Sequence, residues 1–281
     1  MGGTNRTIAT LRSRAESFGW NLWTLERFGL TPSKLRYRLL DRSAPKVLSV
    51  SLPKAGTHLL ERALCLHPRL YRKLRATVWP EALPRWGGLE GLLRGMAPGQ
   101  ITLAHLPFDP SFEASIDDTR VVFLIRDPRD VVLSEAHYAA ARPNHPYHAA
   151  FERCTTLADR IRVAIDGDEA VDMRSIAVRL DRYGGWLDGT AHVVRFEDLV
   201  GPRGGGSTER QHAAVHDLYA YLGVESDDAL VASVCERLFS GDSPTFRRGA
   251  VGQWRTEFDA DLERHFEAAV GGRLETYGYG A

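Results

Sequence analysis

The stretch KVLSVSLPKAGTHLLERALCL, residues 46–66, decides the fold class because it passes from an apolar strand through a tight loop into a helix. Its run VLSV, residues 47–50, has the β-type character of a strand buried in a parallel sheet. Pro53 ends the strand, and Thr57 is suited to open or cap the helix that follows. The stretch therefore predicts the first strand–loop–helix unit of an α/β protein.

The loop of this unit, PKAGTH at residues 53–58, has the composition of a phosphate-binding loop. Gly56 lets the backbone approach a ligand closely, and a helix N-terminus presents unpaired N–H groups and a positive dipole end to an anion. Lys54 adds a full positive charge, but it precedes the glycine, whereas in a Walker A loop the lysine follows it. Taken alone, the loop is also compatible with an ordinary turn between a strand and a helix.

Strand and helix patterns alternate through the rest of the chain. Further strands are predicted at residues 100–104, 120–125 and 192–195. Helices are predicted at residues 8–18, 21–28, 89–96, 149–165, 173–187, 209–222, 227–239 and 262–270, and after the third strand through His137. The alternation predicts an α/β fold with a mostly parallel central sheet flanked by helices. We expect one domain, residues 45–281, with residues 1–44 as an N-terminal helical segment packed on it.

Charge and cysteine content narrow the class of protein. Lys+Arg and Asp+Glu both number 36, so the formal net charge is zero, which argues against general binding to nucleic acid or to anionic membranes. Cys65, Cys154 and Cys235 lie far apart and show no metal-ligand spacing. The first 44 residues hold no apolar run long enough for a signal peptide or a membrane anchor. We expect a reduced, cytoplasmic protein without a metal, either a monomer or a homodimer.

A residue suited to catalysis or binding follows each of the four predicted strands. Lys54 follows the first, His105 the second, Arg126 the third and Phe196 the fourth. Because ligands of such sheets bind at the carboxyl ends of the strands, these four residues predict one common site.

Two further segments have the residue types that bind phosphate. In VVFLIRDPRDVVLS, residues 121–134, Arg126 and Ser134 offer a fork-shaped cation and a hydroxyl donor. In FRRGAVGQWR, residues 246–255, arginines and glycines alternate in a way that lets a loop fold over an anion. The alternatives are a surface ion-pair cluster at a helix start for the first segment and a solvated basic loop for the second.

These segments together resemble the sulfotransferases that use 3′-phosphoadenosine 5′-phosphosulfate (PAPS). Residues 53–57 resemble that family's P-K-[ST]-G-T loop, residues 121–134 its 3′-phosphate segment, and residues 247–255 its R-K-G-x-x-G-x-W-[KR] segment. The tripeptide HLP at residues 105–107 and FEDL at residues 196–199 match two shorter family motifs. The resemblance spans about residues 46–258, which is most of the chain.

The resemblance implies transfer of the sulfuryl group of PAPS to a hydroxyl, or as second choice an amine, of a small acceptor, leaving adenosine 3′,5′-bisphosphate (PAP). It implies that His105 is the general base and that Lys54 stabilises the leaving phosphate, with no metal. The donor contacts that it implies are Lys54, Ala55, Gly56, Thr57 and His58 for the phosphosulfate, Arg126, Ser134, Arg247, Arg248 and Gly249 for the 3′-phosphate, and Phe196 for the adenine. The acceptor pocket is expected among residues 79–86, 107–112 and 138–147.

Three alternatives stay open. Glu61 resembles the acidic base of carbohydrate-modifying relatives, but it can also be an exposed helix acid that pairs with Arg62 or a later arginine, and His105 is the favoured base. The chain could instead be a P-loop phosphotransferase, or a non-catalytic protein that binds PAP. The last alternative gains support from Ala55 and His58, which stand where the family usually has hydroxyl groups.

Overall fold

The computed structural model describes residues 22–74, 76–116, 118–239 and 249–280. These residues form one five-stranded sheet in which every neighbouring pair of strands is parallel, in the order β2-β3-β1-β4-β5. The strands are β1 (Lys46–Ser51), β2 (Tyr71–Arg72), β3 (Gln100–Ala104), β4 (Thr119–Ile125) and β5 (His192–Arg195). The prediction of a parallel central sheet is confirmed, and β2 escaped prediction because two residues give no periodic pattern.

Helices cover both faces of this sheet. In chain order they are α1 (Leu22–Arg27), α2 (Pro32–Leu40), α3 (Thr57–Leu66), α4 (Gly88–Arg94), α5 (Pro128–Ala140), α6 (His148–Glu152), α7 (Leu157–Asp166), α8 (Ile176–Gly184), α9 (Phe196–Leu199), α10 (Thr208–Leu222), α11 (Asp228–Leu238), α12 (Trp254–Glu257), α13 (Ala260–Val270) and α14 (Arg273–Thr276). Short 3₁₀ helices lie at Pro80–Trp86, Pro110–Ser115, Glu169–Val171, Gly185–Leu187 and Pro202–Gly204. In the part of the chain that is described, no helix combines the length and the apolar character needed to cross a bilayer.

Two predicted helices differ from the observed ones. The pattern at residues 149–165 is divided into α6 and α7, because Thr156 caps a new helix through a reciprocal capping box with Asp159. The pattern at residues 173–187 contains α8 and then a 3₁₀ turn. Helix α2 was not predicted, although Pro32 stands at its first turn. The predicted helix at residues 8–18 lies outside the described residues.

The strands are buried on both sides, and alternate residues enter two separate cores. Leu48 of β1 and Phe123 of β4 belong to the core that contains residues of α4, α5, α7, α8 and α13. Val47 and Val122, their sequence neighbours, belong to the core that contains residues of α3, α10 and α11. This alternation follows from the two-residue period of a strand.

The packing of helices on opposite faces of the sheet indicates where a site can form. Strands β1 and β4 are neighbours, yet the helix after β1, α3, packs on one face and the helix after β4, α5, packs on the other. By the rule for open α/β sheets, the ligand crevice is expected at the carboxyl edge between β1 and β4, where the loops after the two strands meet through Arg126 and Lys54.

Helix α2 is held against the edge of the sheet by contacts of two basic side chains. Lys34 of α2 is buried and donates hydrogen bonds to the carbonyls of Cys65 and Leu70, the second at 2.6 Å. The guanidinium of Arg38 lies 4.9 Å from the centre of the Tyr71 ring. The described part of the N-terminal segment thus packs on the rest of the chain.

Candidate functional site

The loop after β1 has the geometry of a tight cradle. Gly56, the residue just before helix α3, has a left-handed conformation with φ of 105°, and Lys54 also has a positive φ of 73°. A Cβ atom at Gly56 would lie 2.5 Å from the Phe196 ring, so only glycine fits here. Since Gly56 has no side chain to cap the helix, the first N–H groups of α3 stay available to a ligand.

The side chain of Lys54 lies over an aromatic ring. Its Nζ atom is 3.2 Å from the centre of the Tyr138 ring. Burial lowers the pKa of Lys54 to about 8, against the influence of the Glu135 carboxylate, which raises it. A ring face attracts the ammonium group without using its directed N–H bonds, so Lys54 can still donate hydrogen bonds to an anion.

His105, at the end of β3, has a defined tautomer. Its Nδ1 atom lies 2.7 Å from the backbone carbonyl oxygen of Ser51, and because a carbonyl only accepts, Nδ1 must carry the proton. The other ring nitrogen, Nε2, then carries a lone pair. Burial lowers the pKa of His105 to about 4, so the imidazole is neutral near pH 7. A neutral imidazole with a free lone pair is what a general base requires.

Glu61 is buried, whereas the sequence offered an exposed helix acid as one explanation of this residue. It is only 2% exposed and forms ion pairs with Arg27 and with Arg72, the latter at 2.6 Å, while Nδ1 of His58 lies 3.0 Å from its other oxygen. Its pKa is lowered because His58 and the two arginines together outweigh the opposing effect of burial. The expected exposure is therefore wrong, but the expected pairing with a later arginine is found in Arg72, while Arg62 donates to the carbonyl of Arg237.

Arg126, in the segment at residues 121–134, contacts both the loop after β1 and the segment at residues 246–255. It donates from Nη2 to the carbonyl oxygen of Ala250 at 3.1 Å and lies 3.4 Å from that of Lys54. Its guanidinium also lies 4.4 Å from the centre of the Phe196 ring, and its buried Nε has no hydrogen-bond partner among the described residues. Arg126 is 9% exposed and lies 3.7 Å from the Asp130 carboxylate, so the ion pair of the alternative interpretation exists but is buried rather than on the surface.

The start of α5 holds the loop at residues 249–254 in place. The carboxylate of Asp130 accepts hydrogen bonds from the backbone N–H groups of Gly252 at 2.7 Å and Trp254 at 3.0 Å. The carboxylate of Asp127 accepts from the Trp254 indole at 3.2 Å. Asp127 also caps α5, and Pro128 occupies its first turn, as predicted. These two acids hold the loop at residues 249–254 beside Arg126.

The other predicted contacts are distributed around this centre. Phe196, which is buried, packs under the loop and Arg126, and Ser134 lies half-buried on α5. The Thr57 hydroxyl is 2.7 Å from that of Ser51, and Ala55 is buried. Gly249 has a positive φ of 56°. Arg247 and Arg248 lie outside the described residues.

Three buried acids of the site, Asp127, Asp130 and Glu135, have roles that the sequence did not predict. The roles of Asp127 and Asp130 in holding the third segment were not foreseen, because their partners lie more than a hundred residues away in sequence. Glu135, which is buried on α5, also escaped notice; it lies 3.6 Å from Arg179 and 4.0 Å from Nε2 of His145. A carboxylate in the apolar stretch of a helix was the available signal.

The histidines near this site do not form a metal cluster. Nδ1 of His148 lies 2.9 Å from the carbonyl oxygen of Ala139, and the His145 ring packs edge-on against Tyr138 and Tyr147. Over the described ranges, no group of three or more His, Cys, Asp or Glu side chains has the arrangement of a metal site.

Comparison with solved structures identifies the fold. The chain resembles mouse sulfotransferase SULT7A1, crystallised with PAP, at a TM-score of 0.61 and 18% identity, covering 85% of this chain and 86% of that one. It also resembles retinol dehydratase in complex with retinol and PAP, at a TM-score of 0.56 and 15% identity, covering 87% of this chain and 86% of that one. A complex of retinol dehydratase with androsterone and PAP gives a TM-score of 0.55 at 14% identity, covering 87% and 85%. No family model and no curated protein sequence matches the chain. The chain thus has the fold of these proteins.

Proposed function

We propose that this protein transfers the sulfuryl group of PAPS to a hydroxyl group of a small acceptor and releases PAP. The observation that carries the proposal is the convergence of Lys54, His105 and Arg126 at one edge of a sheet whose fold is found in a PAP-bound sulfotransferase and in PAP-bound retinol dehydratase. An amine acceptor remains the second choice, and the cytoplasmic location and the monomeric or dimeric state remain predictions from the sequence.

The residues present fit a donor with two phosphate positions. Gly56 lets the loop pack closely against the Phe196 ring, where a Cβ would not fit, and the first N–H groups of α3 would bind the 5′-phosphosulfate. Arg126 is a buried cation whose Nε lacks a hydrogen-bond partner among the described residues, as expected for a group that binds a 3′-phosphate. Phe196 lies beside both Gly56 and Arg126 and would pack against the adenine. Arg247, Arg248, Gly249 and Ser134 complete the proposed contacts to the 3′-phosphate.

Lys54 and His105 would divide the chemistry between them. PAPS supplies an activated sulfuryl group whose departure leaves negative charge on a phosphate oxygen. Lys54 would donate a hydrogen bond to that developing charge, together with the loop N–H groups. Nε2 of His105 would accept the proton of the acceptor hydroxyl, while Nδ1 stays bonded to the carbonyl of Ser51 and fixes the ring orientation.

The alternatives are less well supported by this arrangement. A P-loop phosphotransferase needs a lysine after the glycine and a Ser or Thr hydroxyl for Mg²⁺, whereas the Thr57 hydroxyl pairs with Ser51. A protein that only binds PAP has no use for a neutral histidine with a lone pair beside the loop. Glu61 is compensated by two arginines, which leaves it poorly suited to accept a proton.

The test is direct detection of transfer. The protein is incubated with PAPS and a panel of phenols, alcohols and amines, and products are sought by mass spectrometry at a gain of about 80 Da, the mass of SO₃. Lys54→Ala is expected to lower kcat by about a hundredfold while weakening donor binding less. Binding of PAP without transfer to any acceptor would instead support the non-catalytic alternative.

A further inference from the structure

We infer that the acceptor carries an anionic group in addition to its hydroxyl, held by Arg142 about one aromatic ring away from Lys54. This inference rests on the proposed function and specifies the class of acceptor: a small hydroxylated aromatic acid. Four features of the surface around Tyr138 lead to it.

The first feature is a second cation on the ring that holds Lys54. The Arg142 guanidinium carbon lies 3.8 Å from the centre of the Tyr138 ring, and Lys54 Nζ lies 3.2 Å from the same centre. The two charges are therefore no more than about 7 Å apart. Lys54 would face the sulfuryl group, and Arg142 lies at a distance that one benzene ring can span.

The second feature is a cavity at the second cation. It has a volume of about 330 Å³ and is lined by Tyr138 and residues 141–146. Small-molecule pockets have volumes of about 300–1,000 Å³, so this one would hold only a compact molecule. The cavity opens within residues 138–147, which the sequence already assigned to the acceptor.

The third feature is an exposed aromatic side chain next to His105. Trp79 is 45% exposed although it is a large apolar residue, and its ring centre is 4.6 Å from that of His105. An indole left exposed beside the proposed base is suited to cover a planar acceptor ring.

The fourth feature is the balance of charge. The Glu135 carboxylate lies 3.6 Å from Arg179 and 4.0 Å from His145, and it also influences Lys54. One carboxylate thus lies near two cations, Arg179 and Lys54, while burial lowers the pKa of His145 and favours its neutral form. An anionic acceptor must approach an anionic donor, and Arg142 would offset that repulsion.

The experiment compares two phenols of nearly equal size, 4-hydroxyphenylacetate and its methyl ester, as acceptors with PAPS. The parent protein is expected to show a KM at least about tenfold lower for the acid than for the ester. Arg142→Gln should raise the KM for the acid about tenfold and leave that for the ester within about twofold, whereas Arg142→Lys should keep most of the preference. Arg94→Gln, which removes an exposed arginine of α4, serves as the matched control and should change neither value.

Calorimetry with the PAP-loaded protein gives a second readout that needs no turnover: the acid should bind, and Arg142→Gln should weaken it. Equal use of acid and ester by the parent protein, or an equal loss for both in Arg142→Gln, overturns the inference. Transfer to uncharged phenols or alcohols alone also overturns it and leaves the proposed function intact. Absence of donor binding and of transfer to every acceptor would overturn the proposed function itself.

Discussion

His105 and Glu61 are the two candidate bases, and their surroundings differ in kind. His105 presents a lone pair because its other nitrogen donates to the Ser51 carbonyl, whereas Glu61 is enclosed by Arg27 and Arg72. We expect His105→Ala to lower kcat for an alcohol acceptor by about 10²–10⁴, since an alcohol does not ionise unaided. The affinity for PAP should stay within a few fold, as measured by calorimetry.

Glu61→Gln is the matched test of Glu61, the second candidate base. The variant should stay active but lose stability, because it leaves two arginines without their buried counter-charge, a loss of about 3–5 kcal/mol in the free energy of unfolding. Thermal unfolding and steady-state kinetics on the same samples separate the two effects. A fully active His105→Ala together with a folded, inactive Glu61→Gln would assign the base to the carboxylate.

The pH dependence of activity follows from the two shifted residues. Burial lowers the pKa of His105 to about 4, so this base is neutral and competent above that pH rather than above its usual 6.5. Burial also lowers the pKa of Lys54 to about 8, so its charge is lost above that pH. We expect kcat/KM to be level between about pH 5 and 7.5 and to fall on both sides.

The control for the alkaline side is Lys54→Arg, which keeps its charge and should remove the decline above pH 8. An acid-side decline centred on pH 6.5 would contradict the assigned environment of His105.

Burial of the neutral imidazole of His105 also makes the free energy of unfolding depend on pH. Below pH 6.5 the unfolded chain binds a proton that the folded one rejects, so this contribution is full above about 6.5 and is lost toward pH 4.

At the scale of elements, the loop between β1 and α3 depends on Gly56. We expect Gly56→Ala to reduce both stability, by about 1–3 kcal/mol, and the affinity for PAP, because a Cβ would overlap the Phe196 ring at 2.5 Å. Gly189→Ala is the matched control, since its φ of 89° is similar but nothing lies within 4 Å of the added atom. Chemical denaturation and calorimetry would measure both variants. Equal losses in the two would show that Phe196 contributes nothing to the requirement for glycine.

The start of α5 and the loop at residues 249–254 form a second unit. Asp130→Asn leaves one carbonyl oxygen where two carboxylate oxygens accept from Gly252 and Trp254. We expect a loss of about 1.5–3 kcal/mol in stability and a PAP affinity lowered about tenfold, because the loop would no longer be held beside Arg126. Asp261→Asn, a change at an exposed acid of α13, should do neither. An unchanged PAP affinity in Asp130→Asn would separate the loop from the site.

Local patterns predicted those elements whose signals lie within a few residues. The strands at residues 100–104 and 192–195 have the predicted bounds, and the cap of α5 was read correctly from Asp127 and Pro128. The break between α6 and α7 was missed because apolar periodicity continues across it, and the capping box at Thr156 outweighs that continuity. Helix α2 was missed because it depends on burial of Lys34, a long-range effect.

At the scale of the whole molecule, the strand pattern predicted the positions of three residues of the candidate site but not the contacts that hold them. The rule that ligands bind at strand ends was enough to place Lys54, His105 and Arg126 at one edge. Their neighbours come from distant parts of the chain, as in the contact of Arg126 with Ala250. Such contacts depend on the strand order β2-β3-β1-β4-β5, which no local pattern encodes.

The central claim is that the crevice between β1 and β4 binds an adenosine nucleotide through a separate 3′-phosphate. The most direct test is calorimetry of PAP against AMP, which lacks that phosphate. We expect PAP to bind much more tightly, and Arg126→Ala to remove most of the difference, on the order of 2–3 kcal/mol, while leaving AMP affinity nearly unchanged. Equal affinities for PAP and AMP in the parent protein would contradict the account.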